Sequence, residues 1–108
     1  MIIYIDIDQT TCYTPTAYCG VPDYKNSVPI VEAIEIVNEA YDAGHKIVYW
    51  TARGATTGNR EGLRDLTESH LKKWGCKYHE LKMDKPYYDL FIDDKASDCM
   101  YALQKLIS

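Results

Sequence analysis

Hydrophobic residues along this chain fall into short blocks of differing period, and each period predicts an element. Ile2 to Ile7 is an apolar, β-branched run that stops at Asp8. A run without polar alternation predicts a strand covered on both faces, hence one inside a parallel sheet. Thr10 to Ser27 follows, with Pro15, Gly20, Pro22 and Asn26 and no helical period. A loop of about 18 residues in a compact domain usually carries function.

Ser27 and Pro29 open an amphipathic stretch in which Ile30, Ala33, Ile34, Val37, Ala40 and Tyr41 recur at helical spacing up to Gly44. This predicts a helix capped near Ser27 and stopped by the glycine. His45 to Trp50 predicts a second strand, with Thr51-Ala52-Arg53-Gly54 as the turn after it. A second helix is expected from about Arg60 to Trp74, with Leu63, Leu66, Thr67, His70, Leu71 and Trp74 on one face and Gly75 at its end. Lys77 to Leu81 predicts a short edge strand. Tyr88 to Ile92 predicts another buried strand ending at Asp93-Asp94, and Ala96 to Ile107 a closing helix with Met100, Leu103 and Ile107 inward. The order β-loop-α-β-α-β-β-α predicts an α/β fold: one domain over residues 1–108 with a mostly parallel sheet.

Composition narrows the class. With 108 residues the chain holds one core, and 46% apolar against 26% charged residues matches ordered globular domains. No apolar stretch is long enough to span a bilayer. Met1 leads straight into Ile2-Ile3-Tyr4-Ile5-Asp6, without the features of a secretory signal, so a cytoplasmic location is expected. The 12 basic and 16 acidic residues give a net charge of -4, unlike a duplex DNA binder. Cys12, Cys19, Cys76 and Cys99 have neither C-x-x-C nor compact Cys/His spacing, and reduced thiols are expected.

Ligands of open parallel sheets gather beyond the carboxyl ends of the strands. Three expected strands end there in Asp6-Ile7-Asp8, in Thr51 and in Asp93-Asp94, and Lys82 and Lys85 precede the last one. Asp6 and Asp8, at i and i+2 of an extended segment, leave the same side of the strand. Carboxylates gathered with a third acid repel unless a cation or a proton intervenes. Oxygen-only donors of this kind suit Mg²⁺, which shares phosphate oxygens of a substrate.

Ile3-Tyr4-Ile5-Asp6-Ile7-Asp8-Gln9-Thr10 resembles the first motif of the haloacid dehalogenase (HAD) superfamily, an apolar strand followed by Asp-x-Asp-x-Thr. Trp50-Thr51-Ala52-Arg53 resembles its second motif, Lys85-Pro86 its third, and Leu90-Phe91-Ile92-Asp93-Asp94 its fourth. The four stand in the right order over nearly the whole chain. The resemblance implies a Rossmann-like, three-layer HAD domain and a Mg²⁺-dependent phosphomonoester hydrolase working through an aspartyl-phosphate. By the same resemblance Asp6 is the nucleophile and Asp8 the general acid and base. Thr51, with the backbone N–H groups of Ala52 and Arg53, and Lys85 would bind phosphate. Asp6, the Asp8 carbonyl, Asp93 and Asp94 would hold Mg²⁺. Gln9 stands where the family usually has glycine, Lys82 competes with the favoured Lys85, and Asp98 with Asp94.

Thr11 to Ser27 and Gly54 to Asn59 are too short to fold into the cap domains common in that superfamily. A capless, open site is therefore expected, with loop 11–27 as a flap, or a second subunit of a homo-oligomer, covering it. Tyr13, Tyr18 and Tyr24 offer an aromatic surface for a sugar or base. Arg53 and Arg60 border the site and offer contacts to a second anionic group. His79 is expected to be structural, and Trp50 and Trp74 to belong to the core. The chain also resembles small capless members linked to surface-polysaccharide biosynthesis, which implies a phosphorylated sugar or nucleotide-type substrate. The alternatives are a polynucleotide 3′-phosphatase, since the layout also resembles the phosphatase part of phage polynucleotide kinases, and a catalytically silent binding domain.

Overall fold

The computed structural model describes residues 1–108. Strand β1 (Ile2–Ile5) pairs in parallel with β4 (Lys46–Trp50), and β4 with β5 (Glu80–Lys82), so the sheet order is β1-β4-β5. Helix α1 (Val31–Asp42) connects β1 to β4, and α2 (Arg60–Lys73) connects β4 to β5. Helix α3 (Met100–Ile107) closes the chain, and α1 packs on both β4 and α3. The result is an α/β domain with a three-stranded parallel sheet and three helices. No helix is long and apolar enough to cross a membrane.

The helical periodicity of α1 buries Ala33, Ile34, Val37 and Ala40. Gly44 and Gly75, at φ +98° and +71°, supply the left-handed turns that end α1 and α2. In β4, Ile47, Val48 and Tyr49 are all buried, as a central strand requires. Burying each aliphatic side chain of this kind contributes roughly 1.5–3 kcal/mol.

Several sequence expectations are corrected. The first strand lies at the edge of the sheet: Ile5 and Ile7 point into the core, while Ile2 and Tyr4 are exposed. Ser27 does not cap α1, which begins after Ile30; the Ser27 hydroxyl instead pairs with that of Thr14 at 2.7 Å. The long loop is partly ordered, because β2 (Cys12–Tyr13) and β3 (Val28–Pro29) form a short antiparallel ribbon at its base.

The largest departure is the run Tyr88–Ile92, which forms no strand and leaves Leu90 and Ile92 76% and 87% exposed. Local bonds compete here with a sheet ladder. The Tyr87 hydroxyl donates to Asp89, the Asp93 carboxylate accepts from the Lys95 N–H, and the Ser97 hydroxyl accepts from the Cys99 N–H. These turns hold the chain away from β1 and delay the last helix from Ala96 to Met100.

Candidate active site

The parallel register aligns Ile5 with Tyr49 and Trp50 with Lys82, so the chain leaves β1, β4 and β5 at one end of the sheet. Asp6 is the first residue beyond β1. Its carboxylate lies 3.5 Å from the Lys85 ammonium, and the Thr10 hydroxyl donates to it at 3.4 Å. Burial pushes the Asp6 carboxyl above its ordinary range, against the downward pull of Lys85.

The turn after Asp6 is wound tightly around one carbonyl. Ile7 O accepts from the N–H groups of Thr10, Thr11 and Cys12 at 3.2, 2.8 and 3.2 Å. Winding of this kind requires a left-handed residue, and Gln9 supplies it at φ +65°. The Gln9 side chain holds the turn from both directions: its amide donates to Thr14 O at 3.0 Å and accepts from the Thr14 N–H at 3.3 Å. A glycine there would have the backbone freedom without these two bonds.

Of the two competing lysines, Lys85 faces Asp6, whereas the Lys82 ammonium donates to the Tyr4 hydroxyl at 3.0 Å on the surface. Four hydrogen bonds fix the Lys85 segment. The Lys85 N–H donates to Thr51 O at 3.2 Å, and Arg60 donates to the carbonyls of Met83 and Lys85. The Trp50 indole N–H donates to Asp84 at 2.9 Å. Arg60 is thus neither solvated nor turned to a substrate; it clamps the lysine loop. Trp50 is not a core residue either: with Tyr88 it flanks the Lys85 ammonium, each ring centroid 5.4 Å away.

Asp8 has a different environment. Both its oxygens accept from Arg53, Oδ2 from Nε at 3.0 Å and Oδ1 from Nη2 at 2.8 Å, and Oδ1 also accepts from the Thr14 hydroxyl. Arg53 is 1% exposed. The expectation that its side chain reaches toward a substrate anion is therefore corrected: the guanidinium faces inward. Its backbone N–H donates to the Thr51 hydroxyl at 3.1 Å, so that N–H and the buried Thr51 side chain are paired with each other. The Ala52 N–H makes no hydrogen bond within the chain.

Of the four acids expected at a metal site, only Asp6 and Asp93 face a common space. No three His, Cys, Asp or Glu side chains come together. Asp8 is tied to Arg53 and Asp6 faces Lys85, while Asp94 lies on the exposed segment with Asp93 and Asp98. Asp6 and Asp93 do line one open cavity of about 1360 Å³, together with Lys85, Tyr4, Trp50 and Phe91. As hard oxygen donors on a shared cavity, these two carboxylates suit Mg²⁺ in chemistry.

Sequence reasoning did not find Thr14, Ser27, Thr67 and His70, which surround Asp8 and Arg53. The signal available was Thr67 and His70 inside the apolar stripe of α2, where polar groups need partners. Of the loop tyrosines, Tyr13 and Tyr18 point to solvent, and only Tyr24 packs inward, with Arg53 4.8 Å above its ring. His79 is structural as expected, accepting from the Ile47 N–H at 3.0 Å and stacking on Tyr41.

No family model and no curated protein matches this chain. The fold is shared with the crystal structure of a structural-genomics target from Vibrio cholerae. The two are 24% identical and superpose with a TM-score of 0.74, over 98% of this chain and 95% of that one. The likeness extends over nearly the full length of both.

Proposed function

We propose that this chain is a capless phosphomonoester hydrolase of the HAD type, with Asp6 as its nucleophile. The observation that carries this is the Asp6 carboxylate at the end of a parallel strand, opening on a large cavity, with one ammonium and one hydroxyl beside it. The α/β connectivity, with helices joining parallel strands and functional groups beyond their carboxyl ends, supports the finer assignment to a Rossmann-like, three-layer HAD domain.

In the first step an Asp6 oxygen bonds to phosphorus as the ester P–O bond breaks, and Asp8 relays to the leaving oxygen the proton carried by the phosphomonoester monoanion. In the second, water attacks the aspartyl-phosphate, Asp8 takes its proton, and inorganic phosphate leaves. Lys85 offsets the charge of phosphate and nucleophile, and the Ala52 N–H is the unpaired donor for a phosphate oxygen. Mg²⁺, held by Asp6 and Asp93, would neutralise phosphate charge when bound.

The substrate class supported best is a small phosphorylated sugar or nucleotide-type metabolite. The aromatic walls of the cavity, Tyr4, Trp50, Tyr88 and Phe91, favour one second reading, a polynucleotide 3′-phosphatase whose terminal base stacks there. The test is phosphate release from sugar phosphates, nucleotides and 3′-phosphorylated oligonucleotides, with Mg²⁺, with chelator, and with Asp6→Asn. Mg²⁺-dependent release abolished by Asp6→Asn is expected. Oligonucleotide preference with steep salt dependence would select the second reading. Folded protein that releases no phosphate from any compound would sink both and leave a binding domain.

A further inference from the structure

We propose that Arg53 is a positioning residue that locks the orientation of the Asp8 carboxylate, and that α2 sets this orientation through Thr67 and His70. The proposal rests on the assignment of Asp8 as the proton-transfer group.

All the donors of Arg53 are directed at protein atoms. Nε and Nη2 form the two-pronged pair with Asp8, and Nη1 donates to the Thr67 hydroxyl and to His70 Nδ1, both at 3.1 Å. The remaining Nη2 proton faces the Ser27 hydroxyl at 3.5 Å. The Tyr24 ring covers one face of the guanidinium. A guanidinium held in this way has no donor left for a substrate, so its work is on Asp8.

Two parallel bonds to one carboxylate fix its plane, which a single bond does not. The Thr14 hydroxyl adds a third bond, to Oδ1. Oδ2 accepts only from Arg53 Nε and keeps an unfilled acceptor position. The geometry assigns proton exchange with the leaving group and with water to Oδ2. Thr67 is itself fixed, since its hydroxyl donates to Leu63 O at 2.7 Å, and His70 is stacked on Trp74. The register of α2 is thereby transmitted across the buried guanidinium to the carboxylate. Lysine has no fork with which to replace this function.

Arg53→Lys and Thr67→Val, the latter keeping shape and removing one anchor of the fork, test the proposal by turnover and by melting temperature. Misplacement of a proton-transfer group lowers turnover by about 100-fold for Arg53→Lys and roughly 10-fold for Thr67→Val. KM should stay within about threefold in both, because no substrate contact is lost. Methylguanidine should restore part of the turnover of Arg53→Ala. A raised KM with turnover retained would make Arg53 a substrate contact and overturn the proposal, as would native turnover in both variants.

A second readout needs no substrate. If Arg53 holds Asp8 in solution, the double variant Asp8→Asn/Arg53→Lys melts no lower than the worse single variant. Additive losses would overturn the proposal. Should the native protein hydrolyse no phosphate ester, the proposed function falls, and the melting cycle still decides whether Arg53 holds Asp8.

Discussion

Asp6 and Asp8 stand two residues apart, yet their replacement by asparagine should move stability in opposite directions. In Asp8→Asn the Arg53 guanidinium stays buried and loses its counter-charge, keeping only neutral partners in Thr67, His70, Ser27 and the Tyr24 ring. Breaking a fully buried ion pair from one side costs about 3–5 kcal/mol. The Asp8 side chain is 25% exposed, which places the cost near the lower bound, about 3 kcal/mol. For a domain of this size that lowers the melting temperature by roughly 12–24 °C. Asp6 behaves otherwise, because burial outweighs Lys85 and holds its carboxyl above the ordinary value of 3.8. A raised carboxyl contributes stability that is fully present below 3.8 and is lost as pH rises through the folded value. At pH 7 the ionised group is therefore a burden, and Asp6→Asn should melt a few degrees above the native protein. Thermal denaturation at pH 7 in low salt, followed by circular dichroism, measures both. An Asp8→Asn variant melting within about 3 °C of native would refute the buried pairing, given the magnitude above. A marked fall for Asp6→Asn would show that Lys85 outweighs burial.

Replacing Gln9 separates backbone strain from side-chain bonding. Glycine relieves a left-handed conformation worth about 1–2 kcal/mol but gives up two hydrogen bonds of roughly 0.5–1.5 kcal/mol each and adds unfolded-state entropy. Stability in urea should therefore rank native, then Gln9→Gly, then Gln9→Ala, and alanine above glycine would refute the compensation. Mg²⁺ at 100-fold over its dissociation constant should stabilise the native protein by about 2.7 kcal/mol. The Asp93→Asn variant should show a much smaller melting shift, and equal shifts would remove Asp93 from the cation site. His70 gives a pH signature, because burial and then the Arg53 charge hold its imidazole below the ordinary value of 6.5. Its contribution is fully present above 6.5 and is lost as pH falls below that value through the folded one, so the melting temperature should drop on acidification. His70→Gln should flatten that slope; an unchanged slope would assign it to other groups.

Elements whose sequence period agrees with their packing were legible. The apolar face of α1, the buried run of β4 and the glycine stops at Gly44 and Gly75 all appear where periodicity placed them. The contact between Asp6 and Lys85 also follows from strand order, since both lie beyond the same end of the sheet. Side-chain partnerships were not legible in that way. Arg53 follows a strand end in a polar turn, which reads as exposed; only the depth of the pocket formed by α2 and the 11–27 loop turns it inward. Tyr88–Ile92 failed for a related reason. Its composition fits a buried strand, but periodicity carries no information about the local bonds of Asp89, Asp93 and Ser97 that compete with a ladder.

The unpaired edge of β1 has a consequence for solution behaviour. Such an edge presents unmet N–H and C=O groups on which a strand from another molecule can assemble. Ile2 and Tyr4 make this edge apolar. Tyr88–Ile92 borders the same cavity as β1 but forms no ladder with it, so the chain leaves this edge open. Edge-to-edge pairing between copies is therefore the route by which this chain would self-associate at high concentration.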